Sequence, residues 1–458
     1  MKVLITGATG LVGKELGKKL TDDGHEVVVV SRQKEKAQLE CPFPCEVIEA
    51  DLQKEEIPAE SLRGIDAVIH LMGENVGDGR WSDEKKKRIY DSRVKSSENL
   101  IESFRRAPPK VMISASAVGF YGDRSDEALS EESSVGEDFL AQVCQDWERG
   151  FAVASTKPAF SQVRFLNFRI GVVLSEKGGA LPKMIPPFRV GLGGALGKGQ
   201  QWMSWIHLTD LVELFCWALK NETMVGPVNA VAPESVTNRT FSEELAKQFG
   251  KKLGPSVPAL GLKLVLGEMS WILLASQNVQ PRKITKAGFK FQFATLTEAL
   301  SDLTKDMKNG EFLFTAEQWL PFERKKVFPY FAEARNLEKI TPPLLNFHIK
   351  KVSTPEIQKG TLIDYRLKIH GIPIAWRTLI ERWNPDLEFV DTQLKGPYSL
   401  WHHTHTFTDL KGGTLMIDRV KYKLPFGFLG WVVAGWMVEK DVKNIFAYRR
   451  QIVAKERF

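Results

Sequence analysis

The sequence predicts an α/β protein, with a doubly wound parallel sheet first and an α+β unit with an antiparallel sheet and a long final helix second. The first observation is an apolar strand at residues 1–6 that leads directly into three closely spaced glycines. The second is a β-branched run at residues 25–30, typical of a strand buried on both faces. The third is a change of rhythm near residue 304, where successive strand patterns replace the alternation of strands and helices.

The glycines after the first strand indicate a dinucleotide site. Gly7 permits the tight turn off the strand, Gly10 lets the backbone approach a pyrophosphate, and Gly13 lets the helix pack closely on the sheet. The amides at the start of the helix then favour a phosphate anion. An ordinary strand–helix turn is the alternative. The residues predicted to hold the dinucleotide here are Gly7, Thr9, Gly10, Leu11, Val12 and Gly13.

The end of the second strand indicates which dinucleotide is bound. Where an NAD-binding chain places an acid on the ribose 2′-hydroxyl, this chain has Ser31 and Arg32. A hydroxyl and a guanidinium suit a 2′-phosphate, so the sequence predicts NADP(H) as cofactor, the alternative being an arginine solvated on a loop. Further cofactor contacts are predicted at the ends of the third and fourth strands: Asp51, Leu52, Leu71 and Gly73.

Composition sets outer bounds. The chain has 458 residues, 43% of them hydrophobic, which suffices for two or three domains. We find neither an apolar stretch of the ~18–20 residues that a membrane span needs nor a secretory signal, so we expect a cytoplasmic protein. The four cysteines suggest neither a disulfide framework nor a zinc site. The net charge of +7 lies in the C-terminal third, without a compact basic cluster, so we expect no nucleic-acid partner.

Several motifs of the first 300 residues occur together in one family. They lie at residues 6–13, 73–75, 80–81, 91–94, 114–122, 168–174 and 205–210. In these motifs the chain resembles the extended short-chain dehydrogenases/reductases, and within them the epimerase-family, sugar-nucleotide epimerase-like proteins. The resemblance implies a Rossmann-type domain over residues 1–245 and a short module over residues 246–303, and it places Arg169 near the cofactor.

One departure from that family concerns catalysis. Short-chain dehydrogenases use Tyr-x₃-Lys, in which the lysine lowers the tyrosine pKa so that the phenol can exchange a proton with the substrate. Aligned on Glu148, the two positions hold Leu140 and Cys144, so the standard relay is absent. Cys144 is either a substitute acid or inert packing in a buried helix.

The resemblance leaves other groups that can act on a substrate. Ser116 matches the serine that hydrogen-bonds the substrate oxygen, Tyr121 lies near the same strand end, and Arg93 stands where the family usually carries an asparagine. These three are the catalytic candidates, although a serine at a strand end is commonly a cap. A long loop at the carboxyl edge of the sheet supplies three substrate candidates: Glu74, Arg80 and Trp81. The alternative is that this segment is a salt-bridged surface loop.

The last domain, residues 304–458, has the order strand, helix, six strands and long helix. This order and segments such as 322–328 and 418–425 resemble the START-like, polyketide cyclase/dehydrase superfamily. The resemblance implies a helix-grip fold with an apolar cavity. Five tryptophans are candidates for lining that cavity or for the core: Trp376, Trp383, Trp401, Trp431 and Trp436.

The histidines at residues 402, 403 and 405 suggest a metal, because the second and third share one face of a strand. The sequence offers no third ligand, so it predicts no metal site.

Three hypotheses of function remain. The first, which we favour, is an NADP(H)-dependent oxidoreductase or epimerase with a fused domain for a hydrophobic substrate or product. The second is a non-catalytic NADP(H) sensor, and the third is a lipid or isoprenoid carrier. The expected partner is a small-molecule substrate, polar or hydrophobic, in both domains; the sequence assigns neither the substrate nor an oligomeric state.

Overall fold

The computed structural model describes residues 1–307 and 310–458, and all of their side chains except those of residues 428, 429, 431 and 432. The side chain of Trp431, a candidate for the cavity or the core, therefore lies outside the described part. The chain divides into two compact units, Met1–Gln38 with Cys45–Thr304 and Leu39–Pro44 with Lys305–Phe458. Within the described residues, no helix combines the length and the apolar character needed to cross a membrane.

The first unit is built on a parallel sheet. Its strands are β1 (Lys2–Thr6), β2 (Glu26–Ser31), β3 (Glu46–Glu49), β4 (Ala67–His70), β5 (Val111–Ala117), β6 (Ala128–Leu129), β7 (Arg164–Ile170), β8 (Val172–Leu174), β9 (Trp202–Met203), β10 (Trp205–His207), β11 (Gly226–Ala230), β12 (Val236–Thr237) and β13 (Asn278–Val279). Seven form one parallel sheet in the order β11-β7-β5-β4-β1-β2-β3, and the others pair as β10-β8, β12-β9 and β13-β6. The strand order reverses direction at β1, which confirms the predicted doubly wound sheet of Rossmann type.

Helices join the strands of this sheet. They are α1 (Leu11–Asp22), α2 (Lys34–Glu40), α3 (Asp83–Asp91), α4 (Val94–Ser103), α5 (Phe139–Ser155), α6 (Leu181–Arg189), α7 (Leu208–Lys220), α8 (Asn238–Gln248), α9 (Ala259–Leu266), α10 (Trp271–Leu274), α11 (Arg282–Lys286) and α12 (Leu296–Thr304). Because helices cover both faces, the central strands are mainly apolar: Leu4, Ile5, Val68 and Ile69 are all fully buried. The polar residues of interest therefore gather where the strands end.

The second unit is built on an antiparallel sheet. Its elements are β14 (Phe312–Leu320), α13 (Arg324–Ala332), α14 (Asn336–Ile340), β15 (His348–Val352), β16 (Leu362–Ile369), β17 (Ile372–Asn384), β18 (Glu388–Lys395), β19 (Leu400–Leu410), β20 (Gly413–Lys423) and α15 (Gly427–Val453). The seven strands lie in the order β14-β20-β19-β18-β17-β16-β15, so the first strand pairs with the last. This confirms the predicted antiparallel sheet and long final helix.

Candidate active site

The loop between β1 and α1 has the geometry of a phosphate-binding turn. Gly7 has a φ of +72°, and a Cβ there would lie 2.8 Å from the backbone carbonyl of Leu71. A Cβ on Gly13 would lie 2.4 Å from the oxygen of Gly7, so only glycine lets the helix pack this closely on the turn. Gly10 is the N-cap of α1, and no side chain caps that helix end. The other predicted contacts in this turn are partly buried: Thr9, Leu11 and Val12.

The ends of β2 and β3 place the predicted ribose and adenine contacts. Arg32 is exposed directly after β2, and Ser31 Oγ hydrogen-bonds the backbone two residues later at 3.3 Å. Burial opposes the charge of Asp51, but Lys54, 3.0 Å away, and the nearby Arg32 help to hold the pKa of that carboxyl below its ordinary value. Leu52 is 1% exposed and packs its side chain in the core.

The end of β4 brings Leu71 against Gly7 and Gly73 beside a guanidinium. A Cβ on Gly73 would lie 3.1 Å from Cζ of Arg93. Arg93 donates a 3.0 Å hydrogen bond to the backbone oxygen of Glu74 and lies over the ring of Trp147, 5.3 Å from its centre. Arg93 is thus placed at the same sheet edge as the glycine loop, held by backbone and aromatic contacts.

Ser116, Tyr121 and Arg169, which the sequence singled out separately, meet in one buried network. Ser116 Oγ donates to Glu148 Oε1 at 2.7 Å. Arg169 donates to both oxygens of the same carboxylate, from Nε at 2.9 Å and from Nη2 at 2.8 Å. Arg169 Nη1 also donates to the hydroxyl of Tyr121 at 3.0 Å, and that hydroxyl donates to Asn229 Oδ1 at 2.6 Å.

The contacts within this network favour the charged form of Arg169 and the neutral form of Tyr121. Burial opposes the charge of Arg169, but the contacts with Glu148 and Tyr121 outweigh it and raise the pKa of the guanidinium. Burial raises the pKa of the Tyr121 phenol, so this phenol stays protonated at neutral pH. The ring of Phe120 lies beneath the guanidinium, with 3.4 Å from Cζ to the ring centre. The network therefore offers a serine hydroxyl bonded to a fixed carboxylate.

The positions of the missing relay lie in α5, next to Ser116. Cys144 adjoins Ser116 and the backbone of Ala117, and burial raises the pKa of its thiol to about 12. The thiol is therefore protonated at neutral pH and is not a nucleophile. Leu140 lies against Gly119, where an added Cβ would be 3.5 Å from the leucine Cβ. Neither side chain supplies the chemistry of the family's tyrosine and lysine.

A cleft of about 1330 Å³ opens in the first unit near the start of α5. Trp81 lines it and packs edge-on against Phe139, with ring centres 5.6 Å apart. Carboxylates and cations also line the cleft: Asp123, Asp126, Asp138, Glu268, Lys198, Lys263 and Arg239. The cleft thus combines charged side chains with aromatic ones, the latter being Trp81, Phe139, Trp202 and Trp271.

The other two substrate candidates make contacts within the protein. Glu74 accepts a 2.7 Å hydrogen bond from Lys85, and this bond together with the charge of Arg88 holds the pKa of its carboxyl below the ordinary value. Arg80 donates to the backbone oxygen of Val265 at 3.0 Å and to that of Leu264, both in α9. Arg80 therefore holds α9, and Trp81 is the member of the three that lines the cleft.

Sequence reasoning missed two members of this site. Glu148 served only to align α5, although a buried arginine near the end of a strand needs a buried carboxylate as partner. His70, at the end of β4, is fully buried between Thr6 Oγ1, 2.7 Å from Nδ1, and Ser96 Oγ, 3.2 Å from Nε2. Burial lowers the pKa of His70 to about 3, so the ring is neutral. No periodicity marks such a residue, because it replaces an apolar one at the same position.

The second unit contains a separate, mainly apolar cavity of about 390 Å³. Aromatic side chains from the sheet line it, among them Tyr365, Trp376, Trp383, Tyr398 and Trp401. Helix α15 contributes the other wall through Ala434, Met437, Val438 and Ile445. Trp436, one of the predicted cavity residues, is 68% exposed and is not part of the lining.

Two family models match the first unit. Residues 3–230 match the NAD dependent epimerase/dehydratase family, and residues 257–303 match DUF1731, a domain of unknown function. An Arabidopsis thaliana protein, the chloroplastic epimerase family protein SDR39U1 homolog, is 38% identical over 307 residues, covering 66% of this chain and 86% of the plant protein. Bacillus subtilis YfhF, also an epimerase family protein, is 34% identical over 314 residues, covering 67% and 99%.

A solved structure agrees with these relatives. Human epimerase family protein SDR39U1 (isoform 2), crystallised with NADPH, is 31% identical, covers 67% of this chain and 99% of the human chain, and superposes with a TM-score of 0.59. The glycine loop and the doubly wound sheet agree with the family to which the relatives are assigned. The chain belongs to the NAD dependent epimerase/dehydratase family.

Proposed function

We propose that the first unit binds NADP(H) and catalyses oxidoreduction or epimerisation of a small molecule held in the cleft beside Trp81. The observation that carries the proposal is the uncapped glycine turn together with an exposed Arg32, where an NAD-binding chain has an acid. The NADPH in the human relative's structure supports the same choice. When bound, NADP(H) donates or accepts the hydride.

The residues that would hold NADP(H) fit it. The turn from Gly7 to Gly13 leaves room for a pyrophosphate because glycine backbone, without Cβ atoms, forms its surface. Arg32 offers a guanidinium to the 2′-phosphate, with Ser31 beside it. Gly73 and Arg93 lie at the edge of the neighbouring strand, on the side toward Ser116.

We infer that Ser116 and Glu148 replace the absent tyrosine and lysine as the proton path. Ser116 Oγ donates its proton to Glu148 Oε1, so its lone pairs remain available for a substrate hydroxyl. When a substrate alcohol is oxidised, its hydroxyl proton passes to Ser116 Oγ while the serine proton passes to Glu148. Arg169, bonded to both oxygens, keeps the carboxylate in position.

Binding titrations test the cofactor assignment. We expect NADPH to bind at least ~10-fold more tightly than NADH, because only NADPH has a 2′-phosphate that can make charge-assisted contacts with Arg32. Arg32→Asp is expected to reverse this preference. Arg63→Asp, the same change at another exposed arginine of this unit, is the control and is expected to leave it unchanged. Equal binding of the two cofactors, unaffected by Arg32→Asp, would refute the assignment.

A non-catalytic NADP(H)-binding protein is the second candidate for the first unit. It is favoured by Leu140 and Cys144 in the relay positions and by the engagement of the Ser116 and Tyr121 hydroxyls within the protein. NADPH oxidation with fractionated metabolite extracts separates the two. Turnover that falls in Ser116→Ala supports catalysis, whereas tight binding without turnover in any fraction supports the sensor.

We infer that the second unit is a START-like, helix-grip domain that holds an apolar ligand. The order of its strands, the position of α15 and the aromatic lining of the 390 Å³ cavity support this. Native mass spectrometry of the gently purified chain is expected to find an apolar molecule. Ala434→Trp, which fills the cavity, should release it, whereas Val433→Trp at the adjacent, 76% exposed position should not. Retention in both variants would contradict the inference.

A further inference from the structure

Three buried titratable side chains, the partly buried Asp391 and one arginine meet in the wall of the second unit's cavity. Oδ2 of Asp391 lies 3.5 Å from Nδ1 of His403 and 2.9 Å from Nε2 of His405. On the other side of the two rings, Oδ1 of Asp418 lies 3.0 Å from Nε2 of His403 and 2.8 Å from Nδ1 of His405. Arg449 Nη2 lies 3.2 Å from the same Asp418 oxygen.

Strand pairing creates this arrangement. His403 lies opposite Asp391 in the β18–β19 pair, and His405 lies opposite Asp418 in the β19–β20 pair. Alternate residues of a strand share a face, so all four side chains project from the same side of the sheet. The sequence shows the two histidines together but separates Asp391 from them, and the sheet supplies the missing third ligand.

The hydrogen count of the cluster is incomplete. Each ring nitrogen of His403 and His405 faces a carboxylate oxygen, and Nδ1 of His405 also lies 3.3 Å from Nη2 of Arg449, but a neutral imidazole carries one N–H. If both N–H groups point to Asp418, the lone pairs of Nδ1 in His403 and Nε2 in His405 converge with Oδ2 of Asp391. Three lone pairs that converge away from solvent repel one another unless a proton or a metal ion lies between them.

We propose that Asp391 Oδ2, His403 Nδ1 and His405 Nε2 bind a divalent transition-metal ion. These three atoms lie within 4.8 Å of one another. Ligand atoms that are each about 2.1 Å from one ion are separated by about 3.0–3.5 Å at bond angles near 90–110°, which is close to the two distances measured from Asp391. Two imidazoles and one carboxylate are a donor set that first-row divalent metals accept.

Asp418 completes the site from outside. Its Oδ1 lies 3.0 Å from Nε2 of His403 and 2.8 Å from Nδ1 of His405, so in the metal-bound form it would accept an N–H from each ring and orient both, as outer-shell carboxylates do in metal sites. With neutral imidazoles, the two charges of Asp391 and Asp418 exceed the single charge of Arg449, so the cluster carries a net negative charge that favours a bound cation. Asp391, His403 and His405 all line the cavity, so the remaining coordination positions face it.

The metal site is independent of the cofactor in the first unit. Its three ligands and Asp418 all belong to the second unit, so failure of NADPH binding leaves the proposal standing and its own failure leaves the NADP(H) assignment standing. The site would add one polar, coordinating position to an otherwise apolar cavity. It would therefore select apolar ligands that carry a single metal-binding oxygen or nitrogen.

Cobalt binding tests the proposal on the intact, tag-free protein. After chelator treatment, Co²⁺ is expected to bind with a stoichiometry of one, with d–d absorption bands of a low-symmetry site, and Zn²⁺ should displace it. Absence of these bands together with less than ~0.1 equivalents of metal by elemental analysis would overturn the proposal, and this result needs no variant.

Variants then locate the ion. His403→Ala and Asp391→Ala should abolish the cobalt spectrum, and Asp418→Asn should weaken binding ~10–100-fold, as loss of an outer-shell partner does. His402→Ala is the matched control, since His402 neighbours the ligand on the same strand but is absent from the cluster. Circular dichroism checks that each variant is folded. Metal binding that persists in His403→Ala, or is lost equally in His402→Ala, would refute the assigned ligands.

Discussion

Ser116 Oγ donates a 2.7 Å hydrogen bond to Glu148, and the same carboxylate is held by two bonds from Arg169. Ser116 and Arg169 are also direct neighbours in the β5–β7 strand pair. The serine expected to meet the substrate is therefore coupled to the most buried ion pair of this sheet edge.

Replacing Glu148 tests the proton path. Glu148→Gln keeps the shape of the side chain but cannot accept a proton, so we expect turnover to fall by about 10²-fold or more with little change in NADPH affinity. Stopped-flow measurement of NADPH oxidation and a binding titration check the two parts. Asp146→Asn on the same helix is the control; a fall of equal size there would argue against the path.

Removing Arg169 leaves a buried carboxylate without its partner. We expect Arg169→Met to lower the free energy of unfolding of the first unit by about 3–5 kcal/mol. Arg149→Met, at an arginine whose side chain is 66% exposed, should change it by less than about 0.5 kcal/mol. Urea unfolding followed by circular dichroism measures both. A small effect in Arg169→Met would show that the ion pair of Arg169 and Glu148 contributes little to the stability of the first unit.

Gly13→Ala is expected to disturb the dinucleotide turn. The added Cβ would lie 2.4 Å from Gly7 O and 2.6 Å from Ala8 Cα, and backbone atoms must move to accept it. We expect NADPH affinity to fall at least ~10-fold and thermal stability to decrease. Gly261→Ala is the control, because its Cβ meets nothing within 4 Å in helix α9 and alanine favours helices. Unchanged NADPH binding in Gly13→Ala would refute the location of the site.

His70 should make stability depend on pH. Its pKa is about 3 in the folded protein, against 6.5 ordinarily, so the unfolded chain takes up a proton first as pH falls. The contribution of His70 to the free energy of unfolding is therefore fully present above pH 6.5. It is lost as the pH falls toward 3, by up to ~1.4 kcal/mol per pH unit. Urea unfolding of wild type and His70→Asn at pH 7.5, 6 and 5 measures this. Parallel pH profiles for the two proteins would contradict it.

The cysteines should react in an order set by burial. Burial raises the pKa of both Cys144 and Cys216 to about 12, whereas Cys45 is partly exposed. Iodoacetamide at pH 8 should therefore modify Cys45 first and reach Cys144 and Cys216 only when urea unfolds the protein. Peptide mass mapping determines the order. Early modification of Cys144 would instead favour it as a substitute catalytic acid.

The parallel sheet was predictable because its signals are local. Each strand is a short apolar run, and the glycine turn marks the end of β1 and the start of α1. The N-cap of α7 was not predictable from local signals. Aspartate is a common N-cap residue, but here Nδ1 of His207 accepts the 3.1 Å bond from Thr209, while Asp210 accepts from the amides of Gln292 and Phe293. A distant segment decides this, and no local pattern indicates it.

The two clusters of polar residues were predictable in part, for the same physical reason. Ser116, Tyr121 and Arg169 were each recognisable, because motifs carry them, but their common partner Glu148 lies on another element. Asp391 joins His403 only through the register of β18 on β19, which the sequence leaves open. Long-range pairing therefore determines which of the recognised residues act together.

The first strand of the second unit pairs with the last, Phe312 opposite Tyr422 and Leu320 opposite Thr414. On the ribosome, β14 must therefore wait for roughly one hundred further residues before its partner has been synthesised, while the first unit already has its whole sequence. We therefore expect the enzyme-like part to fold during translation and the antiparallel part only near chain termination. A premature stop between the end of the first unit at Thr304 and β20 would leave the nucleotide-binding part intact and the remainder a target for proteases.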